Sequence, residues 1–344
     1  MTKPALRVGA IGLGHWGQNI ARNLDALGAL AIMCDAEEAT RARFAKLYPK
    51  AEVAGSVEQL LAREDVPAVM IATPATTHGA LVDQALDAGR HVFVEKPICL
   101  DVAEAERLAA KATAARRVLM VGHLLLYHPA FEALLAAVRR GDLGRLRYIY
   151  ATRASLGKIR RQENALWSFA PHDISMILQL AGRLPETVVA NGGNYLSAEV
   201  ADTSLSHLEF GDGLQAHVFV SWLHPYKDHR LVVVGDGAMA VFNDVAAGPE
   251  KLLLYRHKAH WDGDLPFVAK AEAEPIHYQD DEPLARECRA FLAAVRDGAA
   301  PPSDGAEGVR VLRVLDACQR SLNAGGPAAV MPAARDAQPK RRQA

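Results

Sequence analysis

The chain has 344 residues, 50% hydrophobic and 23% charged, which is enough apolar mass for two packed cores and excludes a disordered chain. Its 39 lysines and arginines stand against 40 aspartates and glutamates, and the net charge of −1 excludes a surface that grips nucleic acid through a basic field. Four cysteines, Cys34, Cys99, Cys288 and Cys318, lie far apart without CxxC or Cys/His ligand spacing, so neither a disulfide framework nor a zinc module is expected.

In chain order, the opening MTKPALRVGAIGLG lacks the apolar core and cleavage site of a signal peptide, and no later run reaches the ~18–20 apolar residues of a membrane helix. A cytoplasmic location with no membrane or nucleic-acid partner is expected. Residues 6–11, 30–34, 51–54, 68–72, 91–94 and 118–121 read as six strands, several almost continuously apolar, as in a parallel sheet covered on both faces. Between the first two, Trp16, Ile20, Leu24 and Leu27 form a helical stripe that Gly28 ends. Ser56 with Gln59, and Asp101 with Glu104, have capping-box spacing at two further helix starts. Residues 1–123 therefore read as an α/β, doubly wound Rossmann domain.

The texture then changes. A helix over 130–140 leads through Gly141 and Gly144 into a strand over 147–152, and a second helix is expected over 171–180. Strands follow at 188–191, 203–210, 214–221, 230–234, 238–242 and 252–255, with Asp212-Gly213 and Asp236-Gly237 as tight turns that need positive φ. Helices over 282–296 and 307–322 complete a C-terminal α+β domain, 124–331, with a large, mostly antiparallel open sheet. An uncovered sheet of that size predicts a homodimer or homotetramer. The polar tail, 332–344, is expected to fray.

Gly12-Leu13-Gly14-His15-Trp16-Gly17 is a GxGxxG run between the first strand and the first helix. Its glycines suit a tight turn, close approach of a pyrophosphate, and helix–strand packing, while the helix start offers free N–H groups to the phosphates. Asp35 ends the second strand 21 residues after Gly14, where a carboxylate accepts both ribose hydroxyls; no Arg follows it directly, so NAD is favoured over its 2′-phosphate. Two more segments close strands at the ligand-binding edge: Thr73-Pro74 with His78, and Glu95-Lys96-Pro97. By spacing alone, Lys96 reads equally well as a solvated strand-end lysine.

With these three motifs in order, the chain resembles the glucose–fructose oxidoreductase/inositol dehydrogenase (Gfo/Idh/MocA) family over nearly its whole length. The resemblance implies a NAD(P)-dependent sugar or cyclitol oxidoreductase whose substrate lies between the nicotinamide and the second sheet. It implies that Lys96 contacts the reacting hydroxyl, often beside a cis Lys–Pro bond, here to Pro97. It also implies that His172, in Ala170-Pro171-His172-Asp173, is the proton acceptor of a helix-borne Asp-x-x-x-His motif. This chain departs by carrying Ser168 at the Asp position, and by reading Gly122-His123-Leu124 where an Arg is common. The segments GHLLLYHP, RASLGKIR, ENALW and APHDIS look most like the branch that oxidises UDP-N-acetylglucosamine or its uronate at the 3-hydroxyl.

Oxidising an alcohol needs a hydride acceptor and a base. His172, just after Pro171, is expected in the first helical turn, where the dipole disfavours imidazolium while Asp173 opposes that shift. A histidine at a helix start can equally be satisfied by backbone alone. Lys96 would stabilise charge developing on the substrate oxygen. Ser168 either caps this helix or bonds a sugar hydroxyl or His172. Arg153, Lys158, Arg160 and Arg161 place four cations within nine residues, either a diphosphate clamp or a solvated loop. Asn164 would add a polar contact, Trp167 a sugar-facing wall or core packing, and His123 and Asp173 complete the expected substrate set. His123, His128, His224 and His229 have no ligand spacing, so no metal is assigned. The expected activity is NAD-dependent oxidation of the 3-hydroxyl of a UDP-N-acetylhexosamine or its uronate. The alternatives are an inositol or free-sugar dehydrogenase, an NAD-dependent glycoside hydrolase, and an NAD-binding sensor without turnover.

Overall fold

Six parallel strands form the first sheet of the computed structural model, which describes residues 6–330 apart from Lys158, Gln162 and Ser197. They are β1 (Val8–Ile11), β2 (Leu30–Cys34), β3 (Glu52–Ala54), β4 (Ala68–Ile71), β5 (His91–Glu95) and β6 (Leu119–Gly122). Their spatial order, β3-β2-β1-β4-β5-β6, reverses between β1 and β4 and opens a crevice beyond the strand ends. The crossovers are α1 (Gly17–Ala26), α2 (Glu38–Leu47), α3 (Val57–Leu61), α4 (His78–Asp87) and α5 (Val102–Ala114). Their starts follow local chemistry. Ser56 Oγ accepts from the Gln59 N–H (3.3 Å) and Asp101 Oδ1 from the Glu104 N–H (2.8 Å). Gly28, at φ +65°, ends the first helix as expected.

The chain continues through α6 (Pro129–Arg140), β7 (Leu146–Ala154) and α7 (Ala165–Ala181). Next come β8 (Thr187–Gly193), β9 (Thr203–Glu209), β10 (Gln215–Ser221), β11 (Asp228–Gly235), β12 (Met239–Asn243) and β13 (Leu252–Tyr255). An outlying hairpin, β14 (Lys258–Asp262) and β15 (Leu265–Ala269), precedes β16 (Ala273–Pro275), α8 (Pro283–Asp297), α9 (Gly305–Ala324) and β17 (Ala328–Ala329). Nine strands order as β16-β13-β12-β11-β7-β10-β9-β8-β17, antiparallel except for the β7–β10 pair. The α/β class with a second, mostly antiparallel sheet is therefore what folds. One face of that sheet, with Val188, Leu208, Val218, Leu231 and Val233, is buried. The last two helices return to the first sheet: Phe291 meets the Phe93 ring (centroids 6.0 Å), and Arg313 pairs with Glu106 (2.7 Å).

Three expectations are corrected. The helix expected from residue 171 begins at Ala165, because Asn164 Oδ1 caps it by accepting from the Trp167 N–H (3.0 Å). Pro171 is thus inside a helix, where it leaves the Trp167 carbonyl without its usual donor. Gly213 has the expected positive φ (+85°) but Gly237 does not. The second turn instead packs tightly on the 143–144 segment: a Cβ at Gly235 would lie 1.9 Å from the Leu143 carbonyl oxygen. The β14–β15 hairpin, with Trp261 and Leu265 largely exposed, had no signal in the strand pattern. The expected tail at 332–344 lies outside the described residues. Among the described residues, no helix is long and apolar enough to cross a membrane.

Candidate active site

The glycines of the first turn divide by what they serve. A Cβ on Gly12, whose φ is +87°, would stand 2.7 Å from the Ala72 carbonyl oxygen, and one on Gly17 1.9 Å from that of Gly12. The fold itself needs both. A Cβ on Gly14 would meet nothing within 4 Å, so its missing side chain clears space only on the ligand side. Asp35 sits across from this turn with its carboxylate aimed by two amides, Leu13 N–H to Oδ2 (2.7 Å) and Glu37 N–H to Oδ1 (2.9 Å). Arg41, which the linear reading missed, donates to the carbonyls of Asp35 and Ala36 (2.7 and 3.0 Å). A cleft of about 830 Å³ runs from Asp35 past Gly14 and Ser56 to Thr73 and Pro74. Amide-rich turn, cleared glycine and oriented carboxylate together fit a dinucleotide.

A second cleft, about 390 Å³, adjoins the first, Ala72, Thr73, Pro74 and Thr76 lining both. Its walls bring together Trp16, Glu95, Lys96, Arg160, Arg161 and Glu163. His15, beside Trp16, is exposed. His78 lies at the base, its ring nitrogens 2.7 Å from the Pro97 carbonyl and 2.9 Å from that of Thr73, which ties the two strand-end loops together. Burial pushes the His78 pKa down. The Lys96–Pro97 peptide is cis. Lys96 Nζ donates to the Ser168 carbonyl (2.9 Å), and burial lowers its pKa against the opposing pull of Glu163 and Glu95. Glu95 Oε1 accepts from Trp16 Nε1 (2.5 Å), which fastens the glycine turn to the end of β5.

Helix α7 presents His172 one turn beyond Ser168. Burial first, then the charges of Lys96 and Arg153, hold its pKa well below 6.5, so the ring is neutral. This corrects the expected cause: His172 lies mid-helix, and its neutrality owes nothing to a helix N-terminus. Its Nδ1 is buried without a hydrogen-bond partner among the described residues. Arg153 is also corrected as a phosphate clamp. Its fork is filled by fully buried Asp173, Nε to Oδ2 at 2.9 Å and Nη2 to Oδ1 at 3.0 Å, which withdraws Asp173 from substrate too. Nη1 of Arg153 donates to His229 Nδ1 (3.1 Å), and Asp244 lies 3.7 Å from both groups. Although burial pushes Asp244 up, its neighbours His229 and Arg153, whose charge favours the carboxylate, hold its pKa at about 2. No spacing rule pointed to Asp244, because it arrives from the far end of β12.

Ser168 is inside α7 and caps nothing. Asn164 and Trp167 both donate to Gln319 Oε1, at 2.7 and 3.0 Å, and line a third cavity of about 320 Å³ that shares Leu100 and Glu163 with the second. Arg160 pairs with Glu163 (2.9 Å). Lys158 lies outside the described residues. His123 lines none of these clefts: it is buried, with Nδ1 2.6 Å from Glu307 Oε2.

Residues 6–123 match the oxidoreductase family with the NAD-binding Rossmann fold, and residues 131–241 match the GFO/IDH/MocA C-terminal domain. The chain is similar to UDP-N-acetylglucosamine 3-dehydrogenase of Acidithiobacillus ferrooxidans, 31% identical over 89% of this chain and 94% of that one. A solved structure of that enzyme superposes with a TM-score of 0.81 at 27% identity, covering 94% of this chain and 99% of the other. Inositol 2-dehydrogenase of Rhizobium meliloti is also similar, 28% identical over 92% of this chain and 97% of that one. The matched sequences and the glycine turn, oriented Asp35 and strand-end lysine lead to one conclusion: the chain belongs to the GFO/IDH/MocA family and is an NAD-binding oxidoreductase.

Proposed function

We propose that this oxidoreductase converts the 3-hydroxyl of a UDP-N-acetylhexosamine, or of its uronate, to the 3-ketone. Residues 1–123 serve NAD and residues 124–331 the substrate and self-association, in a cytoplasmic homodimer or homotetramer. One observation supports the substrate reading: the cleft holding Lys96, with Arg160 and Arg161 in its wall, adjoins the cavity beside Asn164, Trp167 and Gln319, Leu100 and Glu163 lining both. A free cyclitol has no use for that length, whereas a sugar with a diphosphate and a nucleoside does. NAD, when bound, supplies the hydride acceptor. Gly12, Gly14, His15, Trp16 and Gly17 hold its phosphates, Asp35 its ribose, and Thr73, Pro74, His78, Glu95 and Pro97 shape the remaining half. Neutral His172 takes the hydroxyl proton, and the Lys96 ammonium steadies the oxygen as charge develops. Arg160 and Arg161 meet the diphosphate, the task Arg153 cannot perform while paired with Asp173.

The withdrawal of Arg153 also favours a second reading, an inositol or free-sugar dehydrogenase, since it removes one phosphate fork. NADH absorbance decides between them. Purified protein with NAD is mixed separately with UDP-N-acetylglucosamine, its uronate and myo-inositol, with 2-oxoglutarate in parallel to re-oxidise any retained NADH. Reduction with a nucleotide sugar, and a raised KM for it in an Arg160→Ala/Arg161→Ala variant, is the expected outcome. Reduction with myo-inositol alone would replace the first reading by the second.

A further inference from the structure

Strands β4 and β5 pair as far as Ile71 and Val94, and the loops that follow them, through Thr73-Pro74 and through Lys96-Pro97, both contribute to the second cleft. Among the described residues, the hydrogen bonds that join these two loops pass through His78 alone, the first residue of α4. Its ring is 1% exposed and forms part of the cleft floor. Nδ1 faces the Pro97 carbonyl at 2.7 Å and Nε2 the Thr73 carbonyl at 2.9 Å. That geometry sets a proton count. A carbonyl only accepts, and an imidazole with one ring proton has one donor, so both contacts are hydrogen bonds only when the ring carries two protons. With one proton, a nitrogen lone pair would face a carbonyl oxygen at 2.7 or 2.9 Å, and a buried carbonyl would lose its donor.

We propose that His78 is a positioning residue that works as a pH-sensitive latch: with two ring protons it holds both loops around the nicotinamide half of the cofactor, and with one it releases one of them. The loop after β4 is otherwise tied only to itself, by the Thr73 and Thr77 hydroxyls (2.7 Å) and by Thr77 Oγ1 donating to the Pro74 carbonyl (2.8 Å), and residues 72–77 include no ionisable side chain. Two charged groups approach from the other elements. Lys96, after β5, opposes a second proton on the ring, and Glu104 of α5 packs against Gly79, the next residue of α4. Burial lowers the His78 pKa, the Pro97 and Thr73 carbonyls pull the other way, and the Lys96 charge adds to the lowering. The latch therefore closes on the acid side of 6.5, the value of an unperturbed ring, and opens as pH rises.

The latch concerns cofactor binding and not the identity of the sugar, so it is tested without substrate. NADH is the probe, because its neutral nicotinamide tolerates an imidazolium in the cleft floor, whereas the cation of NAD opposes one. NADH affinity should rise by about threefold to tenfold from pH 7.5 to pH 5.5, since loops already held need no ordering on binding and one linked proton changes a constant by at most tenfold per pH unit. His78→Gln, which reaches one carbonyl at most and does not titrate, should flatten that rise to within about twofold. In nitrogen-15 spectra of histidine-labelled protein with NADH bound, the His78 ring, assigned through its own backbone, should carry two protons at pH 5.5 and one at pH 7.5. A single ring proton at pH 5.5, an NADH affinity that does not change over this range, or an undiminished rise in His78→Gln would each overturn the latch. The last result, with lowered stability of the variant, would leave His78 a purely structural tie. Should His78→Gln fail to fold, the ring proton count in the unaltered protein decides alone.

Discussion

Replacing Gly14 and Gly17 separately by alanine tests whether the two glycines serve different masters. At Gly17 the new Cβ would fall 1.9 Å from the Gly12 carbonyl oxygen, well over an ångström inside contact distance, and the obstacle is backbone. Relief requires α1 to move away from the β1 turn, an overpacking cost of about 1–3 kcal/mol. At a urea slope of ~1–3 kcal/mol per molar, the unfolding midpoint should drop by roughly 1 M. At Gly14 the Cβ meets nothing within 4 Å, and no positive φ opposes it. Stability should therefore stay within about 0.5 kcal/mol of the unaltered protein, or rise slightly from reduced unfolded-state entropy. The same methyl occupies the space cleared for the pyrophosphate, and NAD affinity should fall by about tenfold or more, ~1.4 kcal/mol. Urea unfolding and quenching of Trp16 fluorescence by NAD measure the two effects. If Gly14→Ala lowers the midpoint as far as Gly17→Ala does, or binds NAD unchanged, the division between fold glycine and ligand glycine is wrong.

Three further outcomes follow from the second half. Arg153→Met strands a fully buried Asp173 and should cost about 3–5 kcal/mol, whereas Arg153→Met with Asp173→Leu should recover much of that loss; chemical denaturation of both measures it. Because the folded-state pKa of His172 lies below the 6.5 of an unperturbed ring, the unfolded chain binds more protons beneath that value. His172 should therefore remove stability as pH falls below about 6.5, and His172→Gln should flatten that part of the stability profile. Lys96→Met should lower kcat by about a hundredfold to a thousandfold with NAD affinity retained, as expected for a group that meets charge formed in the transition state. An equal loss of NAD affinity would make Lys96 a cofactor anchor.

Much of the first half was legible because its signals are local. Strands buried on both faces are continuously apolar, GxGxxG and its acidic partner are spaced along one βαβ unit, and Ser56 and Asp101 bond amides three residues ahead. In the second sheet the seven strands β7 to β13 were readable from alternation, with the Gly213 turn, whereas its two short edge strands, β16 and β17, were not. The start of α7 was not. Pro171 is a strong local indication of a helix beginning, yet tertiary burial of nearly the whole segment outweighs the missing hydrogen bond, and Asn164 supplies the cap.

For the site, sequence by itself determined which chemical groups are available: a dinucleotide turn, an oriented acid, a lysine and a histidine. Their protonation states and partners depend on what each meets across the fold. Arg153 looked free because Asp173 lies on another element, 20 residues away, and only the docking of α7 on β7 brings guanidinium and carboxylate together. Glu95 looked like a strand-end acid, yet it lines the cleft and accepts from Trp16, 79 residues away on the glycine turn. Electrostatics in a dry interior extends over several ångströms in space whatever the separation along the chain, which is why the tertiary structure alone decided which of these groups hold a charge.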